Sequence, residues 1–265
     1  MQRLSSSWDH QVKDGAGDHM ERSKRTREAV FEKPSWGIDG ITDPLLEYPD
    51  SFYERFITEF QPKQGKCFFY CFLKRLFDIA VSAMLLTLLM PLMLLLGVAV
   101  KLDSKGPAIF IQNRIGKDGK VFRFYKFRSM RTDAPRDCAT SMLENPEQYQ
   151  TRIGRVLRRL SLDELPQLWC VLVGTMSLVG YRPLVLTEEN CNRMRARLGV
   201  FAVRPGISGY AQIRGRDDVY YKNKAIMDAC YVKYASLWLD LKILIRTILV
   251  VLRRDGNHDN KKNYK

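Results

Sequence analysis

Ile79-Ala-Val-Ser-Ala-Met-Leu-Leu-Thr-Leu-Leu-Met90-Pro91-Leu-Met-Leu-Leu-Leu-Gly-Val-Ala-Val100 is a run of 22 residues without a charge. As a straight helix it measures roughly 33 Å, against a hydrocarbon core of about 30 Å, so it belongs in a membrane. Two features argue against a simple span. Pro91 lies in the middle, where its missing N–H and its ring kink a helix. Both flanks are basic, with Lys74 and Arg75 before the run and Lys101 and Lys105 after it. Basic flanks favour the cytosolic side, and a bent helix that enters one leaflet and returns keeps both of them there. The expected element is therefore a re-entrant helix over about 75–101, kinked at Pro91.

The rest of the chain is unevenly charged. The net charge is +14, yet residues 1–62 hold 8 Lys+Arg against 12 Asp+Glu, leaving a net of +18 for residues 63–265. That basic part faces a polyanion: nucleic acid, anionic lipid or a phosphorylated substrate. No recognition helix, RRM motif or zinc finger supports nucleic acid. The six cysteines lack CxxC spacing and the three histidines lie near the chain ends, which argues against zinc and for a reducing compartment. The first 30 or so residues are polar, with no signal-peptide pattern.

Outward from the apolar run, Phe52, Phe56, Ile57 and Phe60 recur at helical spacing and predict a short amphipathic helix between Pro49 and Pro62. Ala108 to Asn113 and Val121 to Phe127 read as strands. Between them Asp118-Gly119 is the pair that a tight hairpin turn requires. Leu237, Leu241, Leu244, Ile245, Ile248 and Leu252 share a helical face beside Trp238, Lys242 and Arg246, as in a helix lying at a membrane surface.

The densest chemistry is in Arg155-Val-Leu-Arg158-Arg159-Leu-Ser161-Leu-Asp163-Glu164-Leu165-Pro166-Gln167-Leu168. Adjacent carboxylates beside clustered arginines suit phosphate chemistry. Ser161 and Glu164 also have the spacing of a helix capping box, and a charged surface would account for the arginines. Against that second reading, Pro166 would fall beyond the first turn of such a helix.

Asp163-Glu164-Leu165-Pro166-Gln167-Leu168 resembles the catalytic signature of the monotopic phosphoglycosyl transferases, the bacterial sugar transferase family. Lys74-Arg75-Leu-Phe-Asp78, Gln112-Asn-Arg114-Ile-Gly116 and Lys126-Phe127-Arg128-Ser-Met130 are similar to family motifs in the same order. So are Met176-Ser177-Leu-Val-Gly180-Tyr-Arg182-Pro183 and Arg204-Pro205-Gly206-Ile-Ser-Gly209. The likeness runs over residues 70 to 255. The chain departs from the family in reading Met90-Pro91 where Ser-Pro is usual, and Gly180-Tyr181-Arg182-Pro183 where Gly-Pro-Arg-Pro is favoured.

The resemblance implies a transfer of sugar-1-phosphate from a UDP-sugar to polyprenyl (undecaprenyl) phosphate, with release of UMP. In it Asp163 is the nucleophile that carries the phosphosugar, and Glu164 holds Mg²⁺. By motif position Arg158, Arg182, Arg204 and Arg216 bind substrate phosphate. Lys74, Arg75 and Asp78 mark the membrane boundary or meet the lipid phosphate, and Lys126, Arg128 and Asp133 either line the active site or belong to a charged loop after the hairpin.

The expected fold is α+β and mainly α: a monotopic membrane protein with a kinked re-entrant helix, a small β-hairpin and interfacial amphipathic helices. Residues 1–66 form a polar extension, 67–255 the membrane-embedded catalytic domain and 256–265 a polar tail. Its place is the bacterial inner (cytoplasmic) membrane, with the catalytic domain on the cytoplasmic face as a first step of polysaccharide or glycoconjugate assembly. Membrane lipids are expected partners and nucleic acid is not, while the sequence leaves a homodimer open. The competing reading is a non-catalytic membrane-surface protein of the same fold that binds anionic lipid or a partner.

Overall fold

The computed structural model describes residues 47–60, 68–135, 143, 145–215 and 219–253. Helices dominate: α1 (Asp50–Glu59), α2 (Phe68–Asp103), α3 (Arg152–Arg159), α4 (Gln167–Val173), α5 (Glu189–Arg197), α6 (Tyr210–Gly215), α7 (Tyr221–Tyr234) and α8 (Leu237–Arg253). Strands β1 (Ile109–Ile115) and β2 (Val121–Phe127) form an antiparallel hairpin, and the short β3 (Ser177–Val179) and β4 (Gly206–Ser208) pair in parallel. This is the mainly helical α+β architecture expected.

Helix α2 begins at Phe68 and ends at Asp103, so it extends the expected 75–101 at both ends, and Pro91 stands inside it. Its N-terminal half is tied by polar side chains. Lys74 Nζ lies 2.8 Å from Asp240 Oδ2, and Tyr70 Oη donates to the same oxygen at 3.0 Å. Arg75 donates to the carbonyls of Val171 and Leu172 at 2.6 and 2.8 Å, and Asp78 Oδ1 accepts from the Leu178 N–H at 3.1 Å.

The C-terminal half is held by packing. Val100 is buried with Phe127 and Leu157, and Met93, Leu96, Ile109, Leu162 and Leu165 pack around them. Between the two docked ends Met84, Leu88, Met90, Leu94 and Leu95 face outward, Leu88 with 70% of its surface exposed. Large apolar side chains in such a continuous exposed band require a non-aqueous neighbour.

The hairpin register runs from Ile109↔Phe127 to Ile115↔Val121. Asp118 (φ 56°) and Gly119 (φ 71°) are the two left-handed residues of its turn, and the Lys120 N–H closes onto the Lys117 carbonyl. A turn of that kind needs positive φ at both central positions. It extends the pairing to Ile115, two residues beyond the strand end read from the pattern.

The β3–β4 pair has no counterpart in the sequence reading. Its strands are three residues each, too short for a periodic signal. Glycines allow it: a Cβ on Gly180 would lie 2.4 Å from the Arg204 carbonyl oxygen, and one on Gly206 would lie 2.1 Å from Gly180 N. The two backbones cross where no side chain fits.

Helix α1 lies within the expected segment and packs on α7. Tyr53 is buried, and its hydroxyl donates to Asn223 Oδ1 and accepts from the Tyr48 N–H, both at 3.0 Å. In α8 the buried side is Leu239, Asp240 and Ile243, whereas Leu237, Trp238, Leu241, Ile245 and Ile248 are exposed. The apolar face read from the sequence therefore points away from the core.

Candidate active site

The site is assembled from the hairpin, the α3–α4 connection and the loop after β3. Helix α3 starts at Thr151, whose hydroxyl accepts from the Gly154 N–H at 2.9 Å. Gly154 abuts the chain after β2, and a Cβ there would lie 2.1 Å from the Ser129 carbonyl oxygen. That approach brings Arg158 within reach of Ser129, and its Nε donates to the serine Oγ at 2.8 Å.

Beyond α3 the chain reverses through Ser161, a left-handed residue with φ 56° and no side-chain capping bond. The capping box allowed by Ser161 and Glu164 is therefore not formed. Asp163 and Glu164 occupy a 3₁₀ turn, Leu162–Glu164, and Pro166 immediately precedes α4. At a helix start the proline has no lost bond to cost it. Successive residues of a 3₁₀ turn diverge by about 120°, so the two carboxylates leave the turn in different directions.

Asp163 is buried, and Glu164 is partly open to solvent. Burial raises the Asp163 carboxyl above the usual carboxylate range and the neighbouring Glu164 charge adds to this, while Lys126, Arg158 and Arg182 oppose the rise. Lys126 projects from β2 with its Nζ 5.1 Å from the centre of the Phe110 ring. Burial, then the charges of Arg158 and Arg114, hold its ammonium down to about 7, partly countered by Asp163. Arg182 Nη1 donates to Glu164 Oε1 at 2.9 Å.

The support behind Arg182 lies outside any motif. Arg195 and Asp228 form a fully buried ion pair, and Arg195 Nη1 also donates to the Arg182 carbonyl at 2.9 Å. The Arg195 guanidinium sits 5.3 Å from the ring centre of Tyr181, which is completely buried. At the position where the family favours proline, this tyrosine fills the core. Arg114 Nη1 donates to the Pro183 carbonyl at 2.6 Å and so ties the hairpin to the same loop.

The structure thus gathers Asp163, Glu164, Lys126, Arg158 and Arg182. The other residues singled out lie elsewhere. Arg204 Nε donates to the Gly174 carbonyl at 2.8 Å, at the far end of α4 from the carboxylates, and Arg75 reaches that same end. Lys74 and Asp78 tie α2 to the domain as described above. Arg128 directs its guanidinium to the carbonyls of Val100, Ser104 and Lys105 at the end of α2. Asp133 is exposed and paired with Arg131. Arg216 lies outside the described residues.

Ser129, Arg195 and Asp228 were not legible as site residues. Arg195 and Asp228 are 33 positions apart in sequence, and Ser129 appears only as the middle of Arg128-Ser-Met130. Among the described residues no cluster of three or more His, Cys, Asp or Glu side chains could hold a metal by itself.

Comparison with known proteins follows the same segment. The model of the bacterial sugar transferase family matches residues 69–254. The chain is 42% identical over 201 residues to a protein of Salmonella typhimurium named undecaprenyl-phosphate galactose phosphotransferase, covering 70% of this chain and 41% of that one. It is 43% identical over 190 residues to an undecaprenyl-phosphate glucose phosphotransferase of Komagataeibacter xylinus, covering 66% of this chain and 35% of that one. A UDP-glucose:undecaprenyl-phosphate glucose-1-phosphate transferase of Caulobacter vibrioides is 40% identical over 192 residues, 69% of this chain and 71% of its own length. The chain therefore spans about two fifths of the first of these relatives and most of the third. With a family match over the whole region that builds the site, the chain belongs to the bacterial sugar transferase family.

Proposed function

We propose that this protein transfers a sugar-1-phosphate from a UDP-sugar to undecaprenyl or a related polyprenyl phosphate through a covalent intermediate on Asp163. The observation that carries the reading is the buried Asp163 carboxylate, with Glu164 beside it and Lys126, Arg158 and Arg182 around it. The names of the relatives agree with it, each being a phosphotransferase acting on undecaprenyl phosphate.

In the first step an Asp163 oxygen bonds to the phosphorus that carries the sugar. The bond to the bridging oxygen breaks, and its electron pair leaves with UMP. In the second step an oxygen of the lipid phosphate attacks that phosphorus and the aspartyl–phosphorus bond breaks, restoring the carboxylate and giving polyprenyl diphosphate sugar. An acyl phosphate remains reactive, which suits a carboxylate to temporary carriage. Arg158 and Arg182 offer forked donors to the phosphate oxygens and, with Lys126, offset charge that develops in transfer.

The donor set fits Mg²⁺, which takes hard oxygen ligands, commonly one or two carboxylates plus substrate phosphates and water. Glu164, partly solvent-facing, would hold the ion with Asp163 alongside, and when bound the ion would neutralise the diphosphate.

The membrane part of the proposal is a re-entrant α2 in the cytoplasmic membrane, with the catalytic domain on the cytosolic face. Its support is that Lys74, Arg75 and Asp78 at one end, and Val100 and Asp103 at the other, all contact the same domain while the middle faces outward. The exposed Trp238, Leu241 and Ile245 of α8, beside Lys242, suit the interface.

The deciding experiment incubates the purified protein, in lipid with Mg²⁺, with a panel of UDP-sugars before and after adding polyprenyl phosphate. Intact mass is followed together with UMP. The expected result is an adduct that maps to Asp163, discharges on adding lipid and is abolished in Asp163→Asn. Near-normal turnover by Asp163→Asn would remove Asp163 as nucleophile, and absence of both adduct and UMP would favour the non-catalytic membrane-surface reading.

A further inference from the structure

Helix α1 lies outside residues 69–254, the span that the family model matches, yet it is docked on the domain that carries the site. It reaches two helices at once. On α7, Tyr53 Oη donates to Asn223 Oδ1 at 3.0 Å, Asp50 pairs with Lys222, and the Lys222 ammonium stands 4.7 Å from the centre of the Tyr53 ring. On α5, Glu54 pairs with Arg197 at 3.2 Å. Just past the end of α1 the centre of the Phe60 ring lies 5.0 Å from Lys233 Nζ, so the segment follows α7 from its first turn to its last.

The side chains of this segment divide by role. Tyr48, Tyr53 and Phe56 are buried and supply the adhesion. Asp50 and Glu54 are 85% and 62% exposed, and ion pairs so placed contribute little to stability. They set the alignment instead: one turn apart on α1, they are answered by cations on two different helices. Those two helices, α5 and α7, are the ones that share the buried Arg195–Asp228 pair. Arg195 donates to the Arg182 carbonyl at 2.9 Å, and Arg182 donates to Glu164 at 2.9 Å. A continuous series of contacts thus runs from α1 to the carboxylates. Asn223, Asp228 and Arg195 are all buried, and close packing leaves them little room to absorb a shift.

We propose that α1 is a strap that clamps α5 to α7 and thereby positions Arg182 on Glu164, with Tyr53 as its principal positioning residue. The inference rests on the phosphosugar-transfer reading and deepens it, because it makes the first step depend on a segment outside the family match. Tyr53 touches no substrate and acts only through Asn223, the Arg195–Asp228 pair and Arg182. Whatever lifts α1 slows adduct formation without removing a group that meets phosphate, so the strap is a control point built into the fold.

The test uses the full chain in nanodiscs with Mg²⁺ and UDP-sugar, and reads single-turnover adduct formation per folded molecule. Tyr53→Phe keeps the ring and removes both hydroxyl bonds. It is expected to slow the adduct about tenfold, the order of a small misplacement passed to a group that holds substrate. Glu54→Lys, at an exposed position, should act in the same direction by less, and adding Arg197→Glu should restore the rate. In an Arg182→Lys background Tyr53→Phe should cost nothing further, since both act through one contact. Hydrogen–deuterium exchange, read without substrate, should quicken over residues 181–186 and 189–197 in Tyr53→Phe. Heat-unfolding midpoints report whether the variants remain folded. If Tyr53→Phe does not fold, Glu54→Lys and its rescue decide the matter.

Unchanged adduct rate and exchange in folded variants overturn the proposal. A loss of stability with no change in rate per folded molecule does the same and leaves α1 a structural element alone. So does a Tyr53→Phe loss that adds in full to that of Arg182→Lys, since α1 would then act by another route. The two readings fail separately. A wild type that forms no adduct and releases no UMP sinks the reaction, while exchange over 181–186 still reports the strap. A wild type that forms the adduct and is indifferent to Tyr53→Phe keeps the reaction and sinks the strap.

Discussion

Lys126 shows how a single position sets a pH response. Its ammonium is held down to about 7 by burial and by neighbouring arginines. In the free enzyme the cation is therefore lost as pH rises through about 7, and kcat/KM, which reports the free enzyme, should fall there. A bound diphosphate restores the proton's advantage, so kcat should hold to higher pH. Lys126→Arg keeps the charge and should remove the limb near 7 in a kcat/KM profile; an unchanged limb would assign it to another group. The same burial has a stability sign. The folded state binds this proton less readily than the unfolded chain does, so stability rises with pH from about 7 toward the ordinary lysine value. Lys126→Met should accordingly raise the unfolding midpoint more at pH 6 than at pH 10.

Ser129 is a second residue-scale case. Its hydroxyl accepts from Arg158 Nε, a charged donor, and such bonds contribute about 1.5–3 kcal/mol. Ser129→Ala should therefore slow formation of the covalent adduct by about tenfold or more while leaving the protein folded, measured by single-turnover mass spectrometry. An unchanged adduct rate would show that Arg158 needs no anchor.

At the scale of elements, α2 is the one to test. Thr87 turns its hydroxyl back to the Ala83 carbonyl at 3.0 Å, a contact that bends helices, four residues before Pro91 removes a backbone donor. If the helix enters and returns, single cysteines at Phe72 and Leu102, introduced into a cysteine-free background, should react with a membrane-impermeant maleimide from the same side of sealed vesicles. Labelling from opposite sides would establish a span. Helix α4 illustrates a different economy. The 3₁₀ turn just before it carries the carboxylates, and the carbonyls at its far end are taken by Arg75 and Arg204. Arg204 and Arg75 thus fix the helix that follows the two carboxylates.

On the scale of the whole molecule, the buried Arg195–Asp228 pair links α5 and α7 to the loop of Arg182. Asp228→Asn would leave Arg195 charged and uncompensated in the core, which costs about 3–5 kcal/mol. A urea midpoint lowered to that extent is expected, together with weakened adduct formation as the Arg182 carbonyl loses its fixed donor. If stability falls and the adduct rate per folded molecule does not, the pair is structural alone. Helix α1 belongs to the same body: Lys222 pairs with Asp50, and Arg197 with Glu54. The last part of the acidic extension is thereby fastened to the basic domain by opposite charge.

The chain on its own determined what depends on local pattern. A run of 22 uncharged residues containing Pro91 marked one long apolar helix, Asp118-Gly119 marked the hairpin turn, and the Asp163 to Leu168 motif carried the family with it. Those signals sit within a few residues of one another, where periodicity and backbone restriction operate. The tertiary structure alone decided which charges meet. Arg158, Lys126 and Arg182 come from three separate segments, and nothing in their spacing distinguishes them from Arg204 or Arg128, which serve backbone carbonyls instead. It also decided that three-residue strands would pair through crossing glycines and that a buried Arg195–Asp228 pair would stand behind the site. Such contacts reward residues far apart in sequence only after the chain has closed around them, so no local pattern records them.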